Sequence, residues 1–272
     1  MNNKLPGFIR VRPRFFTLLQ LMLALLLVSG CTNQDSKADR TELIVSAAAS
    51  LQDSLRELAA AYEQQHPGVS ITLNLGSSGA LAKQIAEGAP VDLFLSAGTA
   101  PMDKLSSTKT VAGRKQLLLN ELVLITPDDK AVRPSKLEDL LNEEIRRIAV
   151  GEPDVVPAGE YTRETLEYAG LWAMLKPKLV MAKDVKQVLT YVNSGNADAG
   201  FVYSTDAASS SAASVVYRVP EQWHSPIIYE AAVVERSSNR KEAAALLNYM
   251  LNEESSDLFR DYGFRIPTEQ KE

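Results

Sequence analysis

The chain is poor in the residues that most metal and redox sites need. It has one cysteine and two histidines among 272 residues. A single cysteine excludes an intrachain disulfide and any cysteine-built metal cluster. His66 and His224 stand far apart, so no His-rich metal spacing occurs, and no G-x-S-x-G elbow is present. No repeat of about 20–50 residues runs through the chain. No Gly/Pro-rich linker divides it into separate beads. Positive charge is also short, with 29 Lys and Arg against 34 Asp and Glu. That balance argues against nucleic acid, which calls for a basic face. The rest of the composition, 45% hydrophobic and 23% charged, is that of a globular protein with a packed core.

The first 31 residues stand apart. Lys4, Arg10, Arg12 and Arg14 precede the apolar run FFTLLQLMLALLLVSG at 15–30. That run is short of the roughly 20 residues a membrane span needs. A basic start followed by a short apolar stretch reads as a secretory signal. Val28-Ser29-Gly30-Cys31 closes it and resembles the lipobox of bacterial lipoproteins. The resemblance implies that Cys31 becomes the lipidated mature N-terminus and holds the protein at the membrane. An uncleaved anchor or a plain signal cut nearby are the alternatives. Residues 32–40 are polar and aperiodic, as a flexible tether would be. The segment before the tether holds four of the basic residues and none of the acidic ones. The mature part therefore keeps 25 against 34, a balance of −9.

From residue 42 onward, strand and helix patterns alternate. ELIVSA (42–47), SITLNL (70–75) and VDLFLSAG (91–98) read as strands. LQDSLRELAAAYEQQH (51–66) and ALAKQIAEG (80–88) between them read as helices. This βαβαβ order predicts a parallel sheet. A second βα-rich block follows. Its strands are ELVLITP (121–127), RRIAVGEP (146–153), KLVMA (178–182) and ADAGFVY (197–203), with helices at 160–170 and 185–195. SSSAAS (209–214) reads as a loop. Strands 215–220 and 226–234 and helices 239–252 and 255–264 close the chain.

The helix starts are the candidate functional positions. Ser50 precedes the first helix, with Asp53 three residues on, close to a capping box. Ser77 and Ser78 sit in the joint LGSSGALAK. Val156-Pro157-Ala158-Gly159 precedes another helix, and Asp184-Val185 a fourth. Each follows a strand, so all lie at the carboxyl edge of a sheet, where α/β proteins bind ligands. A helix start carries unpaired N–H groups and partial positive charge, which suits an anion. Serine at a helix start is equally an ordinary cap, and Pro157 is at home in a first turn. Lys183 is the one cation in these joints, so a site here would hold an anion by neutral donors. Tyr203 ends a strand, where packing is its ordinary role. Asp53, Asp92 and Asp206 are the available acid–base candidates, but capping and strand-end roles account for them. No base accompanies Ser50 or Ser78, so no catalysis is expected.

Six segments together carry a family resemblance: AAASL (47–51), GSSGALAKQI (76–85), GAPVDLFLSAG (88–98), VGEPDVVPAGEY (150–161), AKDVKQVL (182–189) and AGFVYSTDA (199–207). Their order and spacing along 42–265 resemble the molybdate-binding proteins of ABC importers, in a lipoprotein form. The resemblance implies an α/β, two-lobe type II periplasmic-binding fold with the ligand cleft between lobes. Lobe I would be 41–121 with 223–272, and lobe II 122–222. It implies that Ser50, Ser78 and Tyr203 bind an oxyanion through hydroxyls, and Ala158 and Val185 through backbone N–H. Ser77 is a possible addition. Gly79 departs from the pattern, since a third serine is common there. The implied ligand is molybdate or tungstate, with no cofactor and no cation ligands. The implied partner is an ABC permease, served by a monomer anchored outside the cytoplasm. Another oxyanion such as sulfate, or an extracellular enzyme or sensor on the same fold, are the alternatives.

The chemistry is coherent. Molybdate and tungstate are tetrahedral dianions whose oxygens only accept hydrogen bonds. A site made only of donors satisfies them and disfavours protonated phosphate, whose O–H needs an acceptor. Local dipoles also make the −9 balance tolerable, since salt screens distant carboxylates beyond about 8 Å.

Overall fold

The structure, a computed structural model, describes residues 40–267. The signal segment, Cys31, the tether before Arg40 and the tail from residue 268 lie outside the described residues. The chain opens with β1 (Thr41–Ala48), a 3₁₀ turn (Ala49–Leu51) and α1 (Gln52–Gln65). β2 (Val69–Gly76), α2 (Ser78–Ala86), β3 (Leu93–Ser96), α3 (Thr99–Ser107) and β4 (Val111–Leu119) follow. A second set comprises β5 (Leu122–Pro127), β6 (Ile148–Gly151), α4 (Pro157–Tyr168), α5 (Trp172–Leu175) and β7 (Leu179–Ala182). It continues with α6 (Val185–Asn193), β8 (Ala199–Tyr203), α7 (Ser204–Ala208) and β9 (Ala213–Arg218). β10 (Ile228–Val234), α8 (Arg240–Met250) and α9 (Glu253–Asp261) end it.

Two five-stranded sheets result, in the orders β2-β1-β3-β10-β4 and β7-β6-β8-β5-β9. They are the cores of two α/β lobes. β1 pairs parallel with β2 and β3, and β6 pairs parallel with β7 and β8. The sheets are nevertheless mixed rather than wholly parallel. β10 runs antiparallel to β3 and β4, and β5 runs antiparallel to β8 and β9. The cause is connectivity: the chain leaves the first sheet after β4 and re-enters it through β10. The two crossings touch, since the Asn120 N–H donates to the Ile227 carbonyl at 3.3 Å.

Burial explains why these segments form elements. The β5 and β8 strands are buried along their whole length, as expected for strands covered on both faces. α1 buries Leu55, Leu58 and Tyr62, one stripe at helical spacing. α8 and α9 pack back on α1: Tyr249 meets Tyr62 edge-on at 5.1 Å, and the Tyr262 hydroxyl donates to Glu57 at 2.7 Å. Fully burying one Leu, Val or Phe contributes roughly 1.5–3 kcal/mol. α3 and β4 give weak local signals in the sequence. α3 buries only Pro101, Met102 and Leu105, and β4 is an edge strand with an exposed middle. The Ser/Ala-rich stretch is a loop only as far as Ala212, because Ala213 and Ser214 already pair with β5. Among the described residues, no helix is long and apolar enough to cross a membrane.

Candidate anion site

Ser50, Ser77, Ser78, Ala158, Val185 and Tyr203 all line one small cavity of about 10 Å³ at the carboxyl ends of both sheets. That is room for about one water-sized sphere, so the walls meet closely. Ser50, Ser77 and Ser78 come from the lobe of β1. Ala158, Val185 and Tyr203 come from the lobe of β5. None of the lining residues is Lys or Arg. The one acid, Asp184, is turned away to cap α6, accepting from the Gln187 N–H at 2.8 Å. A broader hollow of about 570 Å³ opens beside it between α2, α3 and α4. Its wall mixes Lys83, Lys104 and Arg163 with Asp154 and Glu160 and does not gather donors on one point.

Three helix starts face the cavity. Ser77 is the N-cap of α2, its hydroxyl accepting from the Ala80 N–H at 3.4 Å. Ser78 is the first helical residue, and its hydroxyl oxygen accepts from the Ala97 N–H at 3.0 Å. That bond occupies the oxygen and leaves the Ser78 proton free to donate. Pro157 opens α4, giving up no N–H bond, and Ala158 follows it. Gly159 lets this turn press onto β6: a Cβ there would stand 2.0 Å from the Gly151 carbonyl oxygen. Val185 opens α6 behind the Asp184 cap. The amides of Ser78, Ala158 and Val185 belong to first turns, where the helix itself supplies no acceptor.

Ser50 behaves differently from the capping-box expectation. It lies inside the 3₁₀ turn, and the N-cap of α1 is Leu51, with no side-chain cap. The Ser50 hydroxyl instead lies 2.8 Å from the hydroxyl of Tyr229. Asp53 reaches across the cleft to Lys186 at 2.9 Å. Tyr203 combines both roles open to it. Its ring packs edge-on against Tyr229 at 5.8 Å, and its hydroxyl donates to the Ala97 carbonyl of the other lobe at 3.3 Å. Burial holds the phenols of Tyr203 and Tyr229 well above their ordinary range, so both remain O–H donors.

The remaining acidic candidates have structural partners. Asp92 accepts from the Ile44 N–H at 2.7 Å and from the Ser237 hydroxyl at 2.5 Å. Asp206 is buried against Lys186 at 3.3 Å. Among the described residues, no group of three His, Cys, Asp or Glu is arranged to hold a metal ion. Tyr229, Asn120 and Lys186 went unnoticed in the sequence. The only hint of Tyr229 is a lone tyrosine in the strand run IIYEAAVV, which is aliphatic apart from it and Glu230. Lobe-to-lobe contact is close beside the cavity, where the Gly79 N–H donates to the Val155 carbonyl at 3.0 Å.

Comparison with known proteins agrees with this architecture. The pattern of the bacterial extracellular solute-binding proteins matches residues 43–265. YvgL of Bacillus subtilis (strain 168), named as an ABC transporter substrate-binding lipoprotein, is 40% identical over 92% of this chain and 98% of its own. The molybdate-binding protein ModA of Escherichia coli (strain K12) is 37% identical, over 84% of this chain and 91% of its own. The solved periplasmic molybdate-binding protein of Azotobacter vinelandii shares the fold, with a TM-score of 0.75 at 24% identity, covering 83% of this chain and 100% of that one. The chain thus belongs to the bacterial extracellular solute-binding proteins of ABC transporters, and molybdate-binding proteins are among its relatives.

Proposed function

We propose that this protein captures molybdate, and tungstate with it, outside the cytoplasm and delivers the anion to an ABC permease. In this reading Ser50, Ser78 and Tyr203 donate from hydroxyls, and Ala158 and Val185 from backbone N–H. Ser77 is a further donor at the wall. The protein works as a monomer without a cofactor, held to the membrane by lipid on Cys31. It performs no catalysis.

One observation carries the reading: three helix N-termini and four hydroxyl-bearing side chains, Ser50, Ser77, Ser78 and Tyr203, from two lobes face one cavity that no cationic side chain lines. Such a set suits a fully deprotonated oxyanion better than a cation. Charge-assisted hydrogen bonds contribute roughly 1.5–3 kcal/mol each, enough in sum to offset the lost hydration shell. Binding from two lobes also makes capture dependent on closure, the signal a permease can read. The test is calorimetric titration with molybdate, tungstate and sulfate in one buffer. One-to-one binding of the first two with little heat from sulfate is expected. Tight sulfate binding would reassign the ligand, and no heat from any of the three would overturn the oxyanion reading.

A further inference from the structure

Ser50 is one end of a buried hydrogen-bond chain whose direction can be worked out from its other end. Asn120 lies at the crossing between the two lobes. Its side-chain oxygen accepts from the Glu121 N–H at 2.9 Å and from the Ser204 hydroxyl at 3.0 Å. The backbone N–H can only donate, so this fixes which side-chain atom is oxygen. The Asn120 amide nitrogen therefore faces the other way, donating to the Thr205 hydroxyl at 2.9 Å and to the Tyr229 hydroxyl at 3.3 Å. All four hydrogen-bonding positions of Asn120 are thereby used.

The direction then passes to Tyr229. Its hydroxyl oxygen receives a proton from Asn120, and its own proton needs an acceptor, because Tyr229 is fully buried. Ser50 Oγ, at 2.8 Å, is the acceptor present. Ser50 thus has its oxygen occupied from behind, and its proton is left to point into the cavity. Ser78 is set in the same sense by the Ala97 N–H. We propose that Asn120 and Tyr229 are positioning residues that fix Ser50 as a hydrogen-bond donor and so make the site select oxyanions that carry no proton. Without Tyr229's hydroxyl, Ser50 could rotate and offer a lone pair, which a protonated tetrahedral anion would accept. This inference rests on the oxyanion reading above and adds the source of its discrimination.

The test is a double-substitution cycle read by calorimetry with molybdate and with hydrogen phosphate. Tyr229→Phe keeps the ring that packs on Tyr203 and Phe264, so folding should be retained. It is expected to weaken molybdate binding roughly threefold to tenfold and to narrow the preference for molybdate over hydrogen phosphate. In a Ser50→Ala background the same substitution should change neither quantity, because Tyr229 acts through Ser50. An equal loss in both backgrounds, or an unchanged anion preference, overturns the proposal while the oxyanion reading stands. Failure of the unsubstituted protein to bind either anion would instead overturn the oxyanion reading, and this inference with it.

Discussion

Lys186 and Asp53 close an ion pair of 2.9 Å from one lobe to the other. Lys186 is the residue after Val185, so this contact pulls on the helix start that faces the cavity. Buried Asp206 holds the same ammonium from within its own lobe at 3.3 Å. Burial opposes the Lys186 charge, but Asp206 and Asp53 more than offset it and hold the ammonium above its ordinary range. The Lys186 hydrogen bond draws Asp53 below the usual carboxylate range. When the lobes part, Lys186 keeps Asp206 and gives up only Asp53. Opening therefore strands no buried charge.

Asp53→Asn should for this reason weaken molybdate binding without harming the fold. Both partners are partly exposed, so the expected loss is roughly two- to fivefold at low salt. The difference from the unsubstituted protein should vanish near 1 M salt, where the screening length is about 3 Å. Titrations at the two ionic strengths check this. An equal deficit at both would show that Asp53 acts by something other than charge.

Asp206 gives a pH signature of opposite sign to a normal paired carboxylate. Burial pushes it up to about 6, well above its ordinary value of 3.8. Between those two values the folded protein binds more protons than the unfolded chain. Asp206 therefore favours the folded state at low pH, and this contribution is lost as pH rises through about 6. Asp206→Asn removes it. The melting temperature of the variant, relative to the unsubstituted protein, should rise between pH 4.5 and 7. Parallel melting profiles would count against a raised Asp206. Other shifted carboxylates act alike in both proteins and cancel in the comparison.

Gly79 sets how near the lobes come. A Cβ at this position would stand 2.6 Å from the Val155 carbonyl oxygen and 2.8 Å from its Cα, both backbone atoms that cannot swing aside. Gly79→Ala should therefore wedge the lobes apart at the cavity. Overpacking of this kind costs about 1–3 kcal/mol, which here should come out of ligand affinity, because an open cleft tolerates the methyl group. Solution scattering with saturating molybdate should show a less compact particle than the unsubstituted protein. Equal affinity and equal compactness would mean that closure does not require this contact.

Much of this architecture was legible because it is local. Strand, small-residue turn and helix recur along the chain, and each turn announces a helix start at a sheet's carboxyl edge. Gly88, Gly170 and Gly195 mark helix ends through positive φ. What the sequence hid was contact over long separations. Ser50 and Tyr229 are 179 residues apart, and Lys186 and Asp53 are 133 apart. No local pattern encodes such pairs, so Ser50 and Asp53 read as a capping box when both are in fact committed elsewhere. The segment carrying α3 and β4 failed for another reason. An edge strand with a solvated middle has too few buried positions to show a period.

Ser78 offers the sharpest test of the site itself. Its oxygen is held by the Ala97 N–H, and its proton is free to reach a ligand. Ser78→Ala removes that donor and leaves the Ala97 N–H without its acceptor. The expected loss of molybdate affinity is roughly 1–3 kcal/mol, with the cooperative unfolding transition retained. Tyr203→Phe isolates a hydroxyl in the same way, since the ring keeps its packing against Tyr229. It should weaken binding by a comparable or smaller amount, because the hydroxyl already donates to the Ala97 carbonyl and must exchange that bond for the anion. Calorimetry on both variants, with melting curves as the control, decides the matter. Ser78→Ala and Tyr203→Phe proteins that bind molybdate as tightly as the unsubstituted chain would place the ligand somewhere other than this cavity.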